Sequence, residues 1–171
     1  DRAIPGIAVM LQHQLGLSSR VPAFDINLGC SSVPYGVSVV ASLMKSLGLK
    51  RGILVIADIS SRLCDLEDAG TSPLFGDAGG AIALELDETG TMVFDLNTDG
   101  SGIDAITVRG AGLASRSPPS FSANTETHGD FYLSMKGSDV FSFAISKAPD
   151  SITRALSEYE GLNANAVVPA I

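Results

Sequence analysis

Apolar residues recur at helical spacing at Ile7, Met10, Leu11 and Leu15, and Gly16 stops the run, so the chain opens with a helix over 5–15. Alternation over 22–28 reads as a strand. From Val33 to Leu47, Val33, Val37, Val40, Ala41 and Met44 mark a second helix buried on much of its surface, with Pro34 tolerable only in its first turn. Gly52 to Asp58 is a continuous apolar run, the pattern of a strand covered on both faces. Strand, helix, strand in that order predicts a parallel βαβ unit. Residues 81–86 and 91–96 then flank Asp87-Glu88-Thr89-Gly90 as a hairpin, which adds antiparallel pairing. Residues 97–128, rich in Gly, Ser, Thr, Asn and Pro, read as a long surface excursion with one strand near 103–109. Helical spacing returns from Gly137 to Tyr159 through Val140, Phe141, Ala144, Ile145, Ile152, Ala155 and Leu156, with a kink or break expected at Pro149. A closing strand is expected over 165–169.

Composition narrows what such a chain does. With 171 residues, 45% of them apolar, it is long enough to bury a core and reads as one domain or most of one. The formal charge of −8, with scattered basic residues, argues against a nucleic-acid partner. Apolar runs such as Ile53-Leu54-Val55-Ile56-Ala57 are strand-sized, which argues against a membrane span, and no leader pattern opens the chain. Two cysteines do not make a disulfide framework, so free thiols in the cytoplasm are the expectation. Asp1 in place of Met and the apolar run ending at Ile171 read as an internal portion of a larger α/β protein.

The candidate chemistry centres on Cys30. It stands where the strand at 22–28 gives way to the second helix, with Gly29, Ser31 and Ser32 small enough to let the backbone turn sharply. A helix N-terminus offers unpaired N–H groups and the positive end of the macrodipole, which stabilise a thiolate. Cys30 is thus either a nucleophile or a buried small hydrophobe. Cys64 lacks that placement and reads as a structural thiol. The glycines of Phe75-Gly76-Asp77-Ala78-Gly79-Gly80 precede a strand and lack the P-loop ending, so they are read as allowing close backbone passage, with Asp77 bonded to loop amides. His13 and His128 have no partner at metal-ligand spacing, and neither a metal site nor a resident cofactor is expected.

Three blocks in order carry a resemblance to a known family. Pro22-Ala23-Phe24-Asp25, Gly29-Cys30-Ser31 and Tyr35-Gly36-Val37 form the first; Arg62-Leu63-Cys64-Asp65 through Phe75-Gly76-Asp77-Ala78-Gly79-Gly80-Ala81 form the second; Met135-Lys136-Gly137-Ser138-Asp139-Val140-Phe141 form the third. Together they resemble the thiolase-fold condensing enzymes, most closely the β-ketoacyl-[acyl-carrier-protein] synthase III group. The resemblance implies a layered thiolase-like α/β fold, here an incomplete portion with a mixed sheet and a buried helix after the nucleophile. It divides the chain into 1–98, the N-terminal half with the nucleophile and the opening of the second half; 99–130, the loop excursion; and 131–171, the start of the C-terminal half.

By the same resemblance Cys30 takes an acyl group from a thioester and condenses it with a malonyl thioester borne on acyl-carrier protein, in fatty acid biosynthesis. Phe75, Phe141 and Gly137 match positions along the acyl and pantetheine channel, the two aromatics being ordinary core residues otherwise. Ile4 stands where the family often has an aromatic that reaches across a homodimer into the partner's acyl pocket, and a smaller residue there leaves room for a branched or longer acyl group. The family's Asp-Arg-Gly, whose Arg packs on the adenine of coenzyme A, reads Asp68-Ala69-Gly70, which gives weight to a carrier-bound or other thioester donor over coenzyme A. The family's catalytic His aligns with Ala170 or falls beyond Ile171, and its Asn is absent, so these 171 residues alone are expected to be inactive. The alternatives are a non-catalytic partner subunit of the same fold, and a starter-unit polyketide or quinolone-type synthase.

Overall fold

Gly36 and Gly52 fix how the helix after Cys30 meets the strand that follows it. In the computed structural model, which describes residues 4–87, 90–110 and 129–159, α1 spans Ile7–Gln14, α2 Ser32–Leu47 and β1 Arg51–Ile59. A Cβ on Gly36 would lie 2.7 Å from Leu54 Cδ1, and one on Gly52 would lie 2.5 Å from Val40 Cγ1 and 2.8 Å from Met44 Sδ. The two missing side chains let helix and strand close on each other, and Met44 is 3% exposed between them. α2 stops at Gly48, whose φ of 64° is the left-handed conformation favoured by glycine, while Leu49 N–H donates to Met44 O at 2.8 Å. Pro34 falls in the first turn, as its missing N–H requires.

The chain divides into two compact units. The first comprises 1–54 and 83–86; the second comprises 55–82 and 87–171. β1 pairs with β2, Asp77–Glu85. In the first unit Leu86 N–H donates to Lys50 O at 2.9 Å and Arg51 pairs with Glu85 at 3.0 Å. In the second, Gly79 lies against Ala57 and Asp77 against Ser61, so residue numbers fall along one strand as they rise along the other and the pairing is antiparallel.

The expected hairpin is therefore replaced. Residues 91–96 form no strand, and 81–86 belongs to the strand that pairs with β1. The 91–96 segment is held by a side chain instead, since Asp95 pairs with Arg154. The stretch 22–28 also lacks a ladder and is tied down by Asp25, so no parallel βαβ unit forms among the described residues. The expectation that β1 is covered on both faces holds for one face only. Gly52, Leu54 and Ile56 are half-buried, whereas Ile53 is 59% and Val55 47% exposed.

In the second unit a turn over Ser60–Leu63 leads to Cys64, which is buried and donates its Sγ–H to Ser60 O. The short strands β3, Ile106–Thr107, and β4, Ser134–Met135, pair antiparallel, so the strand expected over 103–109 shrinks to two residues. α3 runs unbroken over Gly137–Glu158 with Pro149 inside it, where a break was one expectation. The closing strand at 165–169 and residues 111–128 of the excursion lie outside the described residues.

Candidate active site

Cys30 is exposed and sits in the turn immediately before α2, with Ser31 at the cap position. Its placement follows from local chemistry. Gly29 permits the turn, Ser32 N–H closes it on Gly29 O at 2.9 Å, and Tyr35 N–H reaches Ser31 O at 3.4 Å to start the helix. No side chain caps this end of α2. The Ser32 amide is used in that turn, and Pro34 has none to offer. Exposure removes the reading of Cys30 as a buried hydrophobe. The thiol is reachable and stands at the positive end of a sixteen-residue helix.

Ahead of this turn, Asp25 accepts hydrogen bonds from the amides of Ile7 and Ala8, both at 2.7 Å. It supplies the N-terminal cap that Gly6, at the cap position of α1, has no side chain to make. Ile4 lies two residues before Gly6 and is 89% exposed. Cys30 and Ile4 thus both fall in the first unit.

Phe75, Gly137 and Phe141 fall in the second. Gly137 opens α3, and Phe141, one turn on, shares its face and is 65% exposed. Phe141 is not a core aromatic among the described residues. Phe75 is half-buried in the irregular stretch before β2.

The Asp68-Ala69-Gly70 stretch is a closed turn. The Asp68 carboxylate accepts from Gly70 N–H at 2.8 Å and from the hydroxyl of Thr71 at 2.6 Å, and these bonds hold its pKa below the ordinary 3.8. Thr71 is 1% exposed, while Ala69 points no functional group anywhere and is exposed. Asp77 accepts from Ser61 N–H at 2.9 Å and from its hydroxyl at 2.8 Å, which likewise lowers its pKa. The loop-amide reading of Asp77 therefore holds. The close-passage reading of the neighbouring glycines does not, because a Cβ on Gly79 would meet Ala57 at an ordinary 3.6 Å and Gly76 and Gly80 face open space.

Among the described residues no group of three or more His, Cys, Asp or Glu side chains is placed to hold a metal ion. His13 is exposed at the end of α1, and His128 lies outside the described residues. No helix among the described residues is long and apolar enough to cross a membrane.

Comparison with known proteins gives one consistent likeness. Residues 24–100 match the model of the 3-oxoacyl-[acyl-carrier-protein] synthase III family. A solved 3-oxoacyl-(acyl-carrier-protein) synthase III superposes with a TM-score of 0.80 at 30% identity, over 92% of this chain and 49% of that one. The chain is similar to the β-ketoacyl-[acyl-carrier-protein] synthase III family over most of its length. Its thiolase-like fold is that of the solved synthases. The β-ketoacyl-[acyl-carrier-protein] synthase III of Fusobacterium nucleatum is 35% identical over 92% of this chain and 47% of its own length. The chloroplastic synthase III of Arabidopsis thaliana is 33% identical over 95% of this chain and 42% of its own. The chain thus spans about half the length of the curated relatives it matches. The family match includes Cys30, Phe75 and the Asp68-Ala69-Gly70 turn; Ile4, Gly137 and Phe141 lie outside it.

Sequence reasoning placed Cys30 immediately ahead of a helix, where the structure has it. It did not find Asp25 as the cap of α1. A signal was present in Gly6, a cap residue without a side chain, and an acid in an otherwise apolar extended stretch.

Proposed function

We propose that the protein is a condensing enzyme in which Cys30 carries the acyl group. The observation that carries the proposal is the exposed thiol at the otherwise uncapped N-terminus of α2 in a chain similar to the synthase III family. The Cys30 thiolate attacks the carbonyl of an acyl thioester, a new C–S bond forms, the donor's C–S bond breaks, and the departing thiolate takes up the proton that Cys30 gave up. The backbone N–H of Cys30 and the start of α2 stabilise the oxyanion of that step. A malonyl thioester on acyl-carrier protein then loses CO₂, the electron pair released on carbon attacks the acyl-Cys30 carbonyl, and the Cys30 thiolate leaves. Phe75, Gly137 and Phe141 line the acyl and pantetheine path, and Ile4 shapes the acyl pocket across a homodimer in the cytoplasm. Residues 1–171 alone do not complete the cycle.

The test is intact-mass spectrometry after incubation with an acyl-coenzyme A and, separately, the same acyl group on acyl-carrier protein. One acyl mass on Cys30, absent from Cys30→Ala, supports the proposal, and no acyl-enzyme from either donor refutes it. Ala69 favours the carrier-bound donor, because the turn that bears it offers no arginine for an adenine. The same residue motivates the second reading, a non-catalytic subunit paired with an active homologue. That reading predicts slow alkylation of Cys30 and a second condensing-enzyme chain that co-purifies.

A further inference from the structure

Gly29, where the turn that presents Cys30 begins, lies four positions after Asp25. Among the described residues the 22–28 stretch forms no ladder, and Asp25 is the side chain that ties it to α1. On its far side Cys30 is anchored by the start of α2; on the near side, Asp25 grips the two first amides of α1, Ile7 and Ala8, at 2.7 Å each. Gly6 makes that grip possible, since a Cβ there would sit 2.8 Å from Asp25 Oδ2 and 3.3 Å from Cγ. A carboxylate seated on two helix N-terminal amides, one oxygen to each, is a clamp of fixed geometry.

We infer that Asp25 is a positioning residue for the nucleophile: its carboxylate, seated on the Ile7 and Ala8 amides through the space left by Gly6, holds the Cys30-bearing turn against α1. Asp25 touches no reacting atom. It acts by keeping the approach to Cys30 from swinging away from the start of α2, and it ties the same turn to the segment that bears Ile4. The inference rests on the reading of Cys30 as acyl acceptor.

The test uses the full-length protein with Asp25→Asn, Asp25→Ala, Gly6→Ala and the Gly6→Ala/Asp25→Ala pair. The rate of Cys30 acylation at saturating thioester is measured together with the half-saturating concentration, and protection of Cys64 from alkylation certifies the fold. Gly6→Ala displaces the carboxylate without deleting it, and Asp25→Asn keeps its volume should the truncation fail to fold. The saturated rate is expected to fall about tenfold or more in Asp25→Ala and Gly6→Ala, with half-saturation changed less than about twofold. Gly6→Ala is expected to add less than about twofold once Asp25 is Ala, because both act through one clamp. Folded variants that acylate within about twofold of the parent, or a loss confined to half-saturation, would overturn the inference. If the parent itself takes up no acyl group, the proposed function fails instead, and iodoacetamide then decides the clamp. Slower alkylation of Cys30 in the variants, by about threefold or more, supports it, and an unchanged rate refutes it.

Discussion

Arg154 on α3 holds Asp95 by two points, Nε to Oδ1 at 3.1 Å and Nη2 to Oδ2 at 2.8 Å, in a fork that joins residues 59 apart in sequence. The Asp95 carboxylate also accepts from Asn97 Nδ2 at 2.8 Å. The Arg154 hydrogen bonds come first among the causes that depress its pKa from 3.8, followed by those of Ser151 and Asn97. Since the folded value lies below the unfolded one, the stabilisation is complete at neutral pH and is lost as pH falls from about 4 toward the depressed value. Arg154→Gln is therefore expected to lower the urea midpoint at pH 7 and to lose that effect toward pH 2. A midpoint difference that stays constant across the titration would show that the pair is not what the substitution removes.

The two glycines between α2 and β1 are expected to differ. At Gly36 an added methyl meets the flexible end of Leu54, and alanine gains about 1 kcal/mol of helix propensity, so Gly36→Ala is expected to be close to neutral. At Gly52 it meets Val40, whose branched side chain cannot turn aside, and Gly52→Ala is expected to cost about 1–3 kcal/mol. Urea denaturation ranks the two, and equal losses would contradict the packing described.

Cys30 and Cys64 offer an internal comparison of reachability. The first is exposed, and the second is buried with its Sγ–H on Ser60 O. Under native conditions iodoacetamide is expected to modify Cys30 alone, with Cys64 reacting after denaturant is added. Peptide mapping checks this, and early modification of Cys64 would mean that the 60–64 turn opens readily.

Ala69→Arg tests the donor preference proposed for the Asp68 turn. The residue is exposed, so stability is expected to change by less than about 0.5 kcal/mol. Acyl uptake from coenzyme A is expected to rise relative to uptake from the carrier protein. An unchanged ratio would remove position 69 from the account of donor choice.

The helices were legible in the sequence because their signals are local. Periodicity placed α2 within a residue, and Gly16 and Gly48 ended α1 and α2 as left-handed glycines do. The pairing of 81–86 was not legible. Alternation marks a strand but not its partner, and β1 supplied a ladder that the adjacent 91–96 did not. The structural roles of Asp25, Asp95 and Asp68 were not legible for a related reason. Each is an acid whose role is set by a partner found in space, and two of those partners lie 17 or more residues away. Cys30 could be read in advance because its neighbourhood, Gly29 and the start of α2, is contiguous with it.

The Asp68 turn is secured from below, with Thr71 nearly sealed from solvent and its hydroxyl on the Asp68 carboxylate. Nothing in that arrangement draws on the side chain at 69. The bonds of the turn are therefore indifferent to the exposed side chain at 69. What position 69 displays and what holds the turn together are thus set independently, so a side chain there can be exchanged with the Asp68 bonds left intact.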